Sequence, residues 1–250
     1  MLLSLSAGTV EAAKMEFVFL YPGGQGSQEQ AQPILDRFSE ALKKASGGKI
    51  DASIKYFSNA QAGEQFIQTK KPAGGILAQH LFQEKGRSLQ AQALLQTLQL
   101  PSGDGTNQYY LLSSADATLP ASGPLKVFSP RPLSPTFVAT KLFPGKNLQF
   151  EINATPNVVG KLRKIGKGEE KGWVLLDQFE YTTISRLKSP WAKNLKTVAN
   201  SQKIPSAPFV IFNANISPDQ VKELKTALLK LSKDSGAKEA LGLLRLKGFR

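Results

Sequence analysis

Apolar positions along the chain fall into two alternating rhythms, one of period two or continuous, the other of helical period. Met15–Tyr21 is a nearly continuous apolar run and reads as a strand. Gln28–Ser46 places Ile34, Leu35, Phe38, Ala41 and Leu42 on one helical face, and Gly47-Gly48 stops it. Ile50–Phe57 reads as a second strand, with Ile54 and Tyr56 among polar alternates. Ala60–Thr69 predicts a second helix that ends before Lys71-Pro72. Gly74–Ala78 is a third strand, short and fully apolar. A brief helix over Leu81–Lys85 and an extended stretch over Leu89–Leu98 follow. This βαβαβα order implies a parallel sheet with right-handed crossovers.

The rhythm breaks at PSGDGTN, residues 101–107, and resumes with a strand over QYYLLSSA, residues 108–115. Residues 116–136 are rich in Pro, Ser and Gly, and a helix begins near Ser134 in SPTFVATKLFPG. Leu148–Ile152 and Gly172–Asp177 (GWVLLD) read as strands. Asn157–Ile165 and Gln178–Leu187 read as helices. A second α/β unit thus spans roughly residues 116–200. Phe209–Phe212 is again a strand. Ser217-Pro218-Asp219 opens a helix, with Ser as cap, Pro in the first position and Asp in the first turn. Its buried face is Val221, Leu224, Leu228 and Leu231, and a short helix over Ala237–Leu244 closes the pattern.

Charge and composition narrow the chemistry. The 250 residues carry a formal net charge of +13, which favours acidic partners. The basic residues are scattered, and the densest cluster, KLRKIGKGEEK, also holds two Glu, so nucleic acid is not an expected partner. The sequence contains no Cys and one His. Disulfides, thiolate catalysis, and metal sites built on Cys or on a His cluster are therefore excluded, and no metal or cofactor is expected. The N-terminal MLLSLSAGTVEAAK has a short apolar core, then small residues with Val10 and Ala12 suitably placed before a cleavage point. It reads as the back half of a secretory signal over residues 1–13, implying a periplasmic or otherwise extracytoplasmic protein. No later segment approaches the length of a membrane span.

Three stretches carry a resemblance: SPTFVATKLFPG, NATPNVVGKLRKIGKGEEKGWVLLDQFEY, and KTVANSQKIPSAPFVIFNANISPDQVKELKTALLKL with LKGF near the end. In order and spacing they resemble the type II periplasmic solute-binding proteins, in particular the branch serving phosphate, phosphite and phosphonate ABC transporters. The resemblance implies two lobes of mostly parallel sheet flanked by helices, joined by two crossover strands. Lobe one is then residues 14–113 and 205–250, and lobe two 114–204. It also implies a monomer that captures a small anionic solute, phosphonate-like or carboxylated, for a membrane permease. A ligand-sensing or partner-binding module on the same fold is the alternative. Two departures from the family's pattern bear on the ligand. TKKPAGGILAQH lacks the acidic residue and the Gly-Pro dipeptide around the third strand, and Pro135 replaces a hydroxyl residue in SPTF.

Ligand contacts in an open α/β sheet gather at strand C-termini and helix N-termini. The strand-to-helix turn YPGGQGSQ supplies Tyr21, Gln25, Gly26 and Ser27, with Ser27 also readable as a plain helix cap. Gln79 and His80 follow the third strand. The resemblance adds Ser134 and Thr136 as a second oxyanion clamp, Asp177 at the end of GWVLLD, and Tyr181 one turn on. Thr155 and Asn157 start the basic helix. Ordinary capping accounts equally for Ser134, Asn157 and Asp177. FVFLYPGGQGSQE also resembles the FPGQGSQ signature of acyl-carrier-protein acyltransferases. The chain has no G-x-S-x-G elbow, and its single His lies in AQHLF, so no enzyme is expected. GGQGSQ likewise lacks the Lys of a nucleotide-binding P-loop.

Overall fold

A computed structural model describes residues 12–24, 26–212 and 216–250. β1 (Ala13–Leu20), β2 (Ile50–Phe57) and β3 (Gly74–Leu77) pair in parallel, separated in sequence by α1 (Gln28–Ala45) and α2 (Ala60–Lys70). In β1 four consecutive residues, Phe17 to Leu20, are buried, which is why the run is apolar rather than alternating: both faces of the strand are covered. Phe17 and Phe19 meet Leu35, Phe38 and Leu42 of α1 on one face. Val18 and Leu20 meet Ile67 and Leu81 on the other. Each such side chain contributes roughly 1.5–3 kcal/mol by leaving water.

After α3 (Gln79–Lys85) and β4 (Ala91–Gln99) the chain crosses through β5 (Thr106–Asn107). It then builds a second sheet from β6 (Tyr109–Ser114), β7 (Ser122–Ser129), β8 (Asn147–Ala154), β9 (Trp173–Asp177) and β10 (Leu195–Asn200). Helices α4 (Pro135–Phe137, running into a π-helical turn at Val138–Leu142), α5 (Val158–Gly166) and α6 (Gln178–Ser185) connect these strands. The return crossing, β11 (Ile204–Pro205), pairs antiparallel with β5, so the two connections form one ribbon. β12 (Pro208–Phe212), α7 (Pro218–Leu231), α8 (Ala237–Leu243) and β13 (Leu246–Phe249) complete the first sheet. The strand orders are β13-β4-β12-β3-β1-β2 and β10-β6-β9-β7-β8. The parallel part expected from the βαβ order is β2-β1-β3; β12, β4 and β13 extend the sheet, each antiparallel to its neighbour, so that β4 again runs in the direction of β3.

One boundary differs from the expectation. The sequence reading puts residues 109–113 in lobe one, but β6 lies in the second sheet, antiparallel to β9 with Tyr109 opposite Asp177. Leu111 and Leu112 are buried on the two opposite faces of that sheet, so the strand is a core element of lobe two and the crossing comes earlier, at 106–107. The leader reading falls on residues 1–11, outside the described residues. Of the remainder, Ala13 is paired with Ile50 in β1.

Candidate functional site

The C-terminal ends of β1, β3, β7 and β9 face a cavity of about 340 Å³ lined from both lobes. Tyr21 follows β1, Gln79 and His80 start α3 after β3, Arg131 follows β7, and Asp177 ends β9. This is where the fold class concentrates binding groups. Among the residues expected from sequence, Tyr21, Gly26, Gln79, His80 and Asp177 line the cavity. Gln25 lies outside the described residues. Ser27, Ser134, Thr136, Thr155, Asn157 and Tyr181 are not among the lining residues.

The reason is local capping chemistry. Ser27 is the N-cap of α1: its hydroxyl accepts from the Gln30 amide at 3.4 Å, and Gln30 Oε1 accepts from the Ser27 amide at 2.9 Å. The Ser27 hydroxyl donates to Glu29 at 2.5 Å, so a carboxylate of the protein already takes it. Ser134 caps α4, accepting from the Phe137 amide at 3.0 Å, and its hydroxyl donates to Glu84. Thr136 is exposed on α4. Asn157 caps α5 through Gly160 at 3.1 Å, with Thr155 bonded to the Asn157 amide at 3.3 Å. Tyr181 stacks on Tyr110, centroids 3.9 Å apart, beside a separate depression along β10. The oxyanion clamp expected from Ser27, Ser134 and Thr136 is thus not what the cavity presents.

Its centre is instead Arg131. The guanidinium Nη2 donates to Asp177 Oδ2 at 2.5 Å and to Glu180 Oε1 at 3.0 Å. Asp177 Oδ1 accepts from the Glu180 amide and Glu180 Oε2 from the Asp177 amide, both at 2.9 Å, a reciprocal capping box at the start of α6. Asp177 therefore performs the capping role and faces the cavity at once. The Arg131 Nε is buried without a hydrogen-bond partner. Burial works against the Arg131 charge, but Asp177 and Glu180 outweigh it and raise its pKa. Burial raises the Glu180 pKa against the opposing pull of Arg131.

Beyond Arg131, Asp177 and Arg245, the titratable side chains of the wall are neutral at pH 7. Burial pushes the Tyr21 hydroxyl up to about 12, and it accepts from Gln99 Nε2 at 3.2 Å. Burial likewise raises Tyr109 and Tyr56. His80, 4% exposed, is held down to about 4 by burial and then by the charge of Arg131, so it is neutral at pH 7. Phe19, Ile34, Ile76 and Leu246 supply apolar wall, and Arg245 at the rim sits 4.0 Å over the Phe179 ring. Arg131, Tyr56, Gln99, Asn107, Tyr109 and Arg245 were missed in sequence. Arg131 stands in SPRP within a Pro-rich stretch, and its partners lie 46 and 49 positions downstream, beyond any local pattern.

The lobes meet around this cavity. Ser134 bonds Glu84, the Phe137 ring lies edge-on to His80 with centroids 6.0 Å apart, and Arg245 covers Phe179. Gly23 packs so closely on the Pro130–Pro132 backbone that a Cβ there would fall 2.9 Å from Arg131 Cα.

Two sheets, a two-stranded connecting ribbon and a cavity at their junction define the class: the fold is that of the two-lobed type II periplasmic binding proteins. More narrowly, residues 175–250 match the family of periplasmic substrate-binding proteins of phosphonate ABC transporters. Comparison with curated proteins finds no match. A binding-protein component of an ABC phosphonate transporter from Pseudomonas aeruginosa is 14% identical, with 96% of this chain and 81% of that chain covered at a TM-score of 0.66. A Xanthomonas citri protein bound to ATP is also 14% identical, over 96% and 91%, at 0.70. PhnD1 of Prochlorococcus marinus, in complex with methylphosphonate, is 13% identical over 95% and 92%, at 0.65.

Proposed function

We propose that this protein is the extracytoplasmic solute-binding component of an ABC importer and captures a small ligand between its lobes. The observation that carries the reading is the 340 Å³ cavity lined from both lobes, with the Arg131 guanidinium held at its wall by Asp177 and Glu180. Arg131 brings a positive charge to the cavity wall, and a carboxylate or phosphonate oxygen of the solute suits that charge. The match of residues 175–250 to phosphonate-transporter binding proteins, and the fold shared with PhnD1, support the transport role. Among the described residues no helix is long and apolar enough to cross a membrane, so the permease is a separate partner in this reading.

Capture follows from the geometry. Tyr21, His80 and Gln99 come from one lobe, and Tyr109, Arg131 and Asp177 from the other. The polar shell is complete only when the lobes meet, so a ligand that touches both sets stabilises the closed arrangement over an open one. The test is a thermal-shift screen of phosphonates, phosphate, carboxylates and amino acids. A ligand at 100 times its Kd should add about 2.7 kcal/mol of stability. A panel that covers these classes and shifts nothing overturns the proposal.

A further inference from the structure

We propose that Glu180, which touches Arg131 from behind the cavity, sets the charge of the ligand: the cleft takes a solute of zero net charge with an acceptor group and an apolar body, such as a zwitterion, and disfavours doubly charged phosphate or phosphonate groups. This rests on the capture reading above. It starts from a count of charges. Among the described residues lining the cavity, the ionised groups are Arg131, Arg245 and Asp177. His80 and the three tyrosines Tyr21, Tyr56 and Tyr109 are neutral at pH 7. Glu180 does not line the cavity, yet its carboxylate bonds the same Nη2 that Asp177 bonds. With Glu180 ionised against Arg131, the four charged groups sum to zero before any ligand enters.

Other anion-holding devices are occupied. The Ser27 hydroxyl serves Glu29, and Glu29 adds an acidic group in the first turn of α1. The Ser134 hydroxyl serves Glu84. A dianion would therefore bring two charges that the site's own groups do not match, and each unmatched charge disfavours binding. A zwitterion brings none. Its carboxylate can accept from the Arg131 guanidinium and a tyrosine hydroxyl at the cavity wall, and its ammonium can donate to the Asp177 carboxylate. The apolar wall of Phe19, Ile34, Ile76 and Leu246 takes a side chain of the ligand.

Three probes with one body and three charges decide it by calorimetry at about pH 7.5: L-phenylalanine, 3-phenylpropanoate and 2-phenylethyl phosphate, the last a dianion because a phosphate monoester's second pKa is near 6. The wild-type protein should bind the zwitterion at least about tenfold more tightly than the dianion, with the monoanion between. Glu180→Gln keeps a side-chain acceptor for the Asp177 amide and removes one charge. It should move the zwitterion-to-dianion ratio toward the dianion by about tenfold or more. Glu169→Gln, an exposed carboxylate of the same lobe, should leave the ratio unchanged. A wild-type protein that binds the dianion as tightly as the zwitterion, or a Glu180→Gln ratio equal to wild type, overturns the inference while leaving capture intact. Binding of none of the three probes to either protein overturns the inference. In that case capture stands only if the wider thermal-shift panel finds a ligand.

Discussion

At the scale of the residue, Arg131 both pairs two carboxylates and brings positive charge to the cavity wall, and the two roles separate experimentally. Arg131→Met leaves Asp177 and Glu180 facing each other with little water, their side chains 9% and 21% exposed. Removing one partner of such a cluster costs about 3–5 kcal/mol. Burial already raises Glu180, and without the guanidinium its largest opposing pull is gone. The deficit is therefore full at neutral pH and shrinks as acid protonates one of them. Urea denaturation at neutral and at mildly acidic pH should show that convergence, and a deficit independent of pH would assign the loss to packing. His80 gives a second pH signature. Its folded pKa, about 4, lies below the unfolded value of 6.5. The folded state thus resists protonation, and the stability this group contributes is complete above pH 6.5 and is lost as pH falls toward 4. The loss amounts to about 3 kcal/mol. His80→Leu should flatten the stability curve through that window, and an unchanged slope would place the titration elsewhere.

At the scale of the element, most of what decides the site was legible as type and little as role. The strand-turn-helix at YPGGQGSQ was readable because the apolar run, the glycines and Ser27 each have a local meaning. What they do there is local too: Ser27 caps α1 and Gly23 admits the other lobe. Gly23 has φ +76, and an alanine Cβ would press on the Pro130 carbonyl. Gly23→Ala should lower ligand affinity by about tenfold by holding the lobes apart, beyond the ~1–2 kcal/mol that a left-handed residue costs any chain. Gly47→Ala is the control, since its φ is +65 with nothing within 4 Å. It should lose similar stability and no affinity. Equal affinity losses in both variants would make the effect one of backbone strain rather than closure. GWVLLD at β9 was legible as a buried strand ending in an acid because its residues are apolar on both faces.

At the scale of the whole molecule, the order of strand-like and helix-like segments gave two α/β units, since each βαβ step has one favoured hand and short connections, while the two-lobed architecture rested on the resemblance. The first crossing was placed late because YYLLSS is an apolar strand that either sheet could have buried. Only its pairing with β9 assigns it to lobe two. The cavity's charge balance was not legible, because Arg131, Asp177 and Glu180 are joined through tertiary structure alone. The contact between the lobes is a property of this scale as well. It draws on Ser134 with Glu84, His80 with Phe137, and Arg245 with Phe179, each a contact between lobes. The central claim is that the ligand is held in the cavity at Arg131 and not at the capped helix start of α1. The most direct measurement is the affinity of one screened ligand for the wild-type, Arg131→Met and Ser27→Ala proteins, each verified as folded by circular dichroism. The account predicts a loss of about a hundredfold or more for Arg131→Met, as expected for a buried charge-assisted hydrogen bond, and near-wild-type affinity for Ser27→Ala. Tight binding by Arg131→Met together with a lost site in Ser27→Ala would contradict it.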